Sequence, residues 1–510
     1  MLPVNVYPCK CFLTLMSSCM NCAHKNTISP LLSGDTASGV LLLLLFTATR
    51  ILFILQGGSF IGKTISFAMQ YLDPILLRTD LLASLFYQHS QPPLFNFFLG
   101  MGLKVTSMPS VFFEIVFKTA GALTVLMFFG TLVSFGIRHV LALFLTVLFM
   151  VNPTLILYEN LLYYTYIEGF FIISAIFFLV RWGHDRRLSL LLLFWSSLLC
   201  LGLTRSLFHP FFFLVITFFL WLYLRKILSE KRSSRIFLLS SFIALIPLFT
   251  LCSKNYSLYG FFGTSSWSGM SMWTKVNTCG PDQLETLHKA GTVSLLGVKA
   301  ELQAFKPVGE YFNKNEIADM ACHHQADCNE FKSTGKPNFN HIGYVFLSRQ
   351  LWTDSLSLIA LRPTDFAFYT LASYSLTLWH SSDSVHALFE KNMSILKNIE
   401  RFYRFLNFEF LGVKSKHDKG MWLRTIVMTL ILMFFYAVTV LNSIRKNPHL
   451  PIAVSLCCLF CLLVHGYTLL VSSLIEFGEN NRFRFPVDSA LLLLMVGSAM
   501  SLGRSLKRHV

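Results

Sequence analysis

Asp73, Asp80 and His89 fall in one stretch, Tyr71 to Asn96, with almost wholly apolar surroundings. It reads Tyr71-Leu72-Asp73-Pro74, then Thr79-Asp80, then His89-Ser90-Gln91-Pro92-Pro93-Leu94-Phe95-Asn96. Further polar groups follow at intervals: Glu159, Glu168, Arg205 and His209, then Glu476, Glu479, Arg482 and Arg484. A carboxylate of this set can take a proton from an acceptor hydroxyl. A guanidinium can hold a phosphate and stabilise it as it leaves. Charged side chains among apolar segments are costly, so each is a candidate for a site.

Each candidate has a plainer reading. Asp73 before Pro74 is a helix-start signal. Asp80 reads as a solvated face residue, and His89 as a loop histidine. Glu159 at a helix junction reads as an exposed cap. Tyr158, Tyr163, Tyr164 and Tyr166 beside it read as an interfacial belt more than as a sugar platform. Arg205 and His209 can cap short helices and snorkel. Arg482 and Arg484 read as headgroup contacts. No phosphate-binding glycine loop is present, which removes the support for an ATP-driven pump.

The elements that position these groups are transmembrane helices. The 510 residues are 54% hydrophobic and 13% charged, with a mean hydropathy of +0.58. A soluble chain carries about 25% charge. Continuous apolar runs recur throughout, which points to a polytopic helical protein and away from a β-barrel. The expected spans are 37–55, 110–135, 139–158, 163–181, 188–203, 207–225, 236–252, 422–443, 451–474 and 486–503. The net charge of +16 reads as cytoplasmic-loop charge, not as a nucleic-acid surface.

The segment 91–106 is apolar but short, and Pro92-Pro93 opens it. If it does not cross, then Arg138, Arg181 to Arg187, Arg225 to Arg235, Arg445-Lys446 and Arg504 to Arg508 share one side. The positive-inside rule selects that arrangement. Segment 91–106 is then an interfacial or re-entrant helix, with 74–87 along the same surface. Four regions result: a cytoplasmic tail 1–36, a transmembrane module 37–252 with the outer loop 56–109, an outer region 253–421, and final helices with a basic tail 422–510. Leu356–Ala360 and Phe366–Trp379 read as amphipathic helices on the membrane. All the candidate acids and arginines fall at the outer face. No internal repeat of the transporter kind is visible.

Cys9, Cys11, Cys19 and Cys22, with His24, have spacings that zinc could use, but a free or lipidated tail is the stronger reading. Cys200, Cys457, Cys458 and Cys461 read as small core residues. One disulfide is expected among Cys279, Cys322 and Cys328. The sequons at Asn255 and Asn392 are both placed outside.

In order, the chain has a first span, an outer loop with an acid and His89-Ser90-Gln91-Pro92-Pro93-Leu94-Phe95, a proline-containing helix end with an acid, and an arginine-bearing turn before the last helix. This order resembles GT-C superfamily glycosyltransferases, in the branch of protein O-mannosyltransferases and lipid A aminoarabinose transferases. The resemblance covers about the first 210 residues and 476–490. The family usually has Asp-Glu in the first loop, where this chain has Asp73-Pro74, and Asp in the second, where it has Glu159. The resemblance implies an all-α GT-C-like bundle of about ten transmembrane helices with interfacial helices in the first outer loop.

It also implies a glycosyltransferase that moves a sugar such as mannose, with inversion, from a polyprenyl- or dolichyl-phosphate donor. The acceptor would be a protein, glycan or lipid on the lumenal or periplasmic side. The setting would be the endoplasmic reticulum membrane of a eukaryote or a bacterial inner membrane. Asp73 would be the base. Glu159 would orient substrate, or hold a divalent metal if one is used. Arg205, Arg482 or Arg484 would bind the leaving phosphate. Asp80, His89, Gln91, Glu168, His209 and Glu479 would contact substrate. A transporter or flippase for a lipid-linked substrate and a non-catalytic GT-C-derived scaffold are the competing readings; discontinuous helices at the bilayer midplane would favour the transporter.

Overall fold

The structure, a computed structural model, describes residues 35–227, 231–382, 394–411, 420–445, 451–478 and 480–506. Glu479, the tail with Cys9, Cys11, Cys19, Cys22 and His24, the asparagine of the second sequon and Arg508 lie outside them. Within them the protein is helical, with two isolated β-bridges and no longer ladder. The apolar helices are α1 (Asp35–Leu55), α2 (Pro109–Ser134), α3 (His139–Met150), α4 (Pro153–Glu159), α5 (Tyr164–Asp185), α6 (Leu188–Thr204), α7 (Pro210–Ile227), α8 (Lys231–Tyr259), α9 (Gly420–Arg445), α10 (Ile452–Ile475) and α11 (Asp488–Leu506). Among the described residues eight helices are long and apolar enough to cross a membrane, or nine if the bent pair α3–α4 counts as one span. The helix α6 falls below that length. This is an all-α chain built to span a membrane many times.

The span expected at 139–158 is broken. The axes of α3 and α4 differ by 57°. Pro153 has no N–H to donate and disfavours helical geometry at Asn152. Asn152 is extended (φ −58°, ψ 121°), and its side chain accepts from Thr154 N, starting the new helix. Likewise 74–87 forms two short helices, Pro74–Thr79 and Leu81–Phe86, which divide at Asp80. Segment 91–106 becomes Leu94–Val105, only 12 residues and too short to cross.

Contacts gather the loops into two groups, one at each end of the bundle. At one end His184 Nε2 meets Ser134 O, Lys226 Nζ donates to Ile444 O, and Gly183 lies against Ala453. At the other, Ile61 bonds the backbone of Asn160 and Leu162, His89 N donates to Asn340 Oδ1, and Arg484 donates to Leu378 O. Lys275 donates there to Ser373 Oγ and to Ser473 O. The first loop, the 159–163 turn, region 260–382 and the 476–487 turn are therefore joined at one end.

Region 260–382 has its own core, centred on Trp267, Met270, Trp273, Tyr344, Leu347 and Leu351. Gly269 lets helix Ser268–Val276 approach Gly343–Leu361: an added Cβ would lie 1.8 Å from Ser348 O. Cys322 pairs with Cys328, and Cys279 stays reduced and buried. Asn255 is buried inside α8 with its Nδ2 donated to Gly263 O, so the first sequon offers no accessible amide.

Two-ended labelling checks this arrangement. In a background without reactive native thiols, Thr334→Cys and Asp185→Cys are expected to react with an impermeant maleimide from opposite sides of sealed vesicles. Reaction of both from one side would overturn the topology.

Candidate functional site

Two buried ion clusters flank α5. The first surrounds Glu159, the last residue of α4, which has no exposed surface. Arg50 of α1 grips its carboxylate through Nε at 3.0 and 3.2 Å and Nη2 at 2.6 Å. Lys118 of α2 adds a bond of 3.0 Å, and the Tyr166 hydroxyl donates at 3.1 Å. Arg50 also donates to Met150 O at the break in the span, and Lys118 to Asn160 Oδ1. Gly121 makes room, since a Cβ there would lie 2.6 Å from Glu159 Oε2. Glu159 is therefore not the exposed cap that its junction position suggests. Its charge is consumed by two cations, and such a cluster holds helices in register.

The second cluster forms on the other side of α5. Arg205 Nη1 reaches both oxygens of the fully buried Glu168, at 3.0 and 2.8 Å. The Arg205 guanidinium lies 4.0 Å from the Phe483 ring centre and 5.4 Å from that of Tyr164. Arg482 donates to the Tyr163 hydroxyl at 3.3 Å, and its charge also acts on Glu168. Tyr71 stands 6.1 Å from Tyr163, and Tyr163 stacks on Tyr164. The tyrosines thus pack inward and are not an interfacial belt: Tyr158, Tyr164 and Tyr166 are all buried. First loop, α5, the α6–α7 turn and the last turn all contribute to this cluster.

Asp73 caps the helix Pro74–Thr79 by accepting from Ile75 N at 2.8 Å. The same carboxylate accepts from Ser333 N and Ser333 Oγ, each at 2.6 Å. Next to it, Lys332 is buried and donates to Ala68 O; burial pushes its pKa down to about 8 against the pull of Asp73. Asp73 thus fastens the 330–338 hairpin to the first loop and shares no partner with Glu159.

The remaining candidates scatter. Asp80 bonds His324 Nε2 at the surface. His89 is fully buried, bonds Ser266 Oγ, and lies 4.6 Å from the Tyr259 ring. Gln91 is half-buried. His209 reaches Phe211 N at 3.4 Å, which makes it a local turn contact. Arg484 pairs with Asp488 at 2.8 Å and also holds Asn407 Oδ1 and Leu378 O, so it packs the last turn and is not a headgroup contact.

A narrow groove, with about 30 Å³ of space open to a water-sized group, runs between the α3–α4 break, α5 and the start of α11. Phe149, Phe170, Phe485, Leu155 and Leu492 supply its apolar wall. Asn152, Tyr166, Asp488 and Ser489 supply polar atoms. Tyr166 joins it to the Glu159 cluster, and Gly169, next to Glu168, joins it to Pro486. Arg50, Lys118, Asp488 and Ser489 carry no sequence signal strong enough to single them out. An isolated basic residue in an apolar run was the only available mark of the first two. Among the described residues no group of three metal-ligating side chains converges. No family model, curated protein or solved structure matches the chain.

Two outcomes are expected. Arg205→Ala leaves Glu168 buried and unpaired and should cost about 3–5 kcal/mol, read as a lowered thermal transition in detergent. Burial, helped by Lys254, lowers the His89 pKa from 6.5 to about 3. The fold therefore holds neutral His89 while the unfolded chain takes up a proton between those values. Stability is full above pH 6.5 and falls on acidification, by up to about 1.4 kcal/mol per pH unit. His89→Gln should flatten the slope of stability against pH between 6.5 and 5 by one proton; an unchanged slope counts against a neutral His89.

Proposed function

We propose that the protein is a membrane-embedded transferase that uses a polyprenyl-phosphate-linked sugar. One observation carries this reading. Arg205 and Arg482 are drawn by four separate segments to one aromatic-lined position at the end of the bundle where the candidate acids lie. Guanidinium groups in a site of low dielectric suit a phosphate that gains charge as it leaves. Tyr163, half-buried beside Arg482, offers its hydroxyl to the adjoining sugar. Glu168 holds Arg205 in place. The sugar would pass to an acceptor hydroxyl with inversion.

The 57° break between α3 and α4 favours a second reading, since interrupted spans also serve transporters. The two readings differ in whether a bond is cleaved.

The test is purified protein in lipid nanodiscs with a panel of labelled polyprenyl-phosphate sugars. Release of free polyprenyl phosphate with transfer of label supports the transferase. Arg482→Gln should then raise the donor KM by about tenfold, the loss of one charge-assisted contact. Movement of intact donor across proteoliposomes, with no cleavage by any preparation, supports transport instead.

A further inference from the structure

We propose that the groove between the broken span, α5 and α11 receives the acceptor hydroxyl, and that Asp488 is the base that removes its proton. The inference rests on the transferase reading above. A base needs a carboxylate oxygen that faces substrate with no competing donor. Glu159 is saturated by Arg50, Lys118 and Tyr166, and both oxygens of Glu168 bond Arg205. Asp73 accepts three hydrogen bonds, two of them from Ser333.

Asp488 differs from all three. Its Oδ1 accepts from Arg484 Nε, while Oδ2 makes no hydrogen bond among the described residues, and its side chain is 23% exposed. It lines the groove together with Ser489 and Asn152. Ser489 is 5% exposed, and its hydroxyl has no partner. Asn152 uses its Oδ1 to start α4, and its Nδ2 bonds no protein group. A buried hydroxyl without a partner is costly unless a ligand or water answers it. One acceptor, one donor and one hydroxyl, set among aromatic walls, suit a neutral hydroxyl-bearing group.

The groove shares two elements with the phosphate cluster, α5 and the turn that follows Arg482. Gly169, next to Glu168, is in contact with Pro486, and Phe483 and Phe485 flank Arg484 on the same turn. In the reaction the acceptor oxygen bonds the anomeric carbon. The carbon–oxygen bond to the lipid phosphate breaks, and the phosphate keeps the electron pair at Arg205 and Arg482. The acceptor proton passes to Asp488 Oδ2. Arg484 orients the carboxylate through Oδ1 and acts as a positioning residue.

The test uses the full-length protein in nanodiscs with whichever donor the panel identifies. Asp488→Asn should lower kcat by about 10²- to 10⁴-fold with donor binding unchanged, and should abolish the acid limb of the pH–rate profile. Asp488→Glu should restore part of the rate. Asn152→Ala and Ser489→Ala should raise the acceptor KM several-fold and spare kcat. Should Asp488→Asn fail to fold, judged by its thermal transition, the Glu, Asn152 and Ser489 variants decide. A normal rate and pH profile in Asp488→Asn, or unchanged acceptor KM in both groove variants, overturns the assignment and leaves the transferase reading standing. Absence of transfer by the wild-type protein with every donor removes both.

Discussion

The carboxylate of Glu159 is the constraint on which the first half of the bundle depends. It is buried where water cannot solvate it, so it must be answered by protein charges. Arg50 comes from α1, Lys118 from α2, and Tyr166 from α5. One ion therefore fixes three helices relative to the end of α4. Arg50 also takes up Met150 O, which the break in the span leaves without its usual helical donor. The break and the ion cluster support one another, and the groove is the space left beside them.

A similar economy holds on the far side of α5. Glu168 and Arg205 neutralise each other, while ring faces of Tyr164 and Phe483 cover the guanidinium. Arg482 approaches from a third segment. Both clusters are assembled from distant parts of the chain, so each ties together helices that are not neighbours in sequence.

Much of the architecture is legible in the amino-acid sequence because hydrophobicity acts locally. Apolar runs mark nearly every helix, the short 94–105 helix is betrayed by Pro92-Pro93, and the charge of the loops assigns their ends. The kink is legible only as Asn152-Pro153, which reads equally as a helix terminus. What the sequence does not reveal is pairing. Arg50 and Glu159 are 109 residues apart, and nothing near either marks the other. Glu159 therefore reads as an exposed cap although it is fully enclosed. Asp488 is hidden for the opposite reason: it looks like an ordinary first-turn acid, and only the groove beside it gives its second oxygen a role.

The hydrogen bonds from Ser333 to Asp73 span 260 residues of chain. At a synthesis rate of roughly 5–20 residues per second, Asp73 waits about 13–50 s for that partner to be made. His89 waits about as long for Asn340, 251 residues on. Throughout that interval the first loop stands at the membrane surface with its polar groups unmatched. Region 260–382 is thus also the piece that ends this vulnerable period, and a ribosome that pauses before residue 333 would lengthen it.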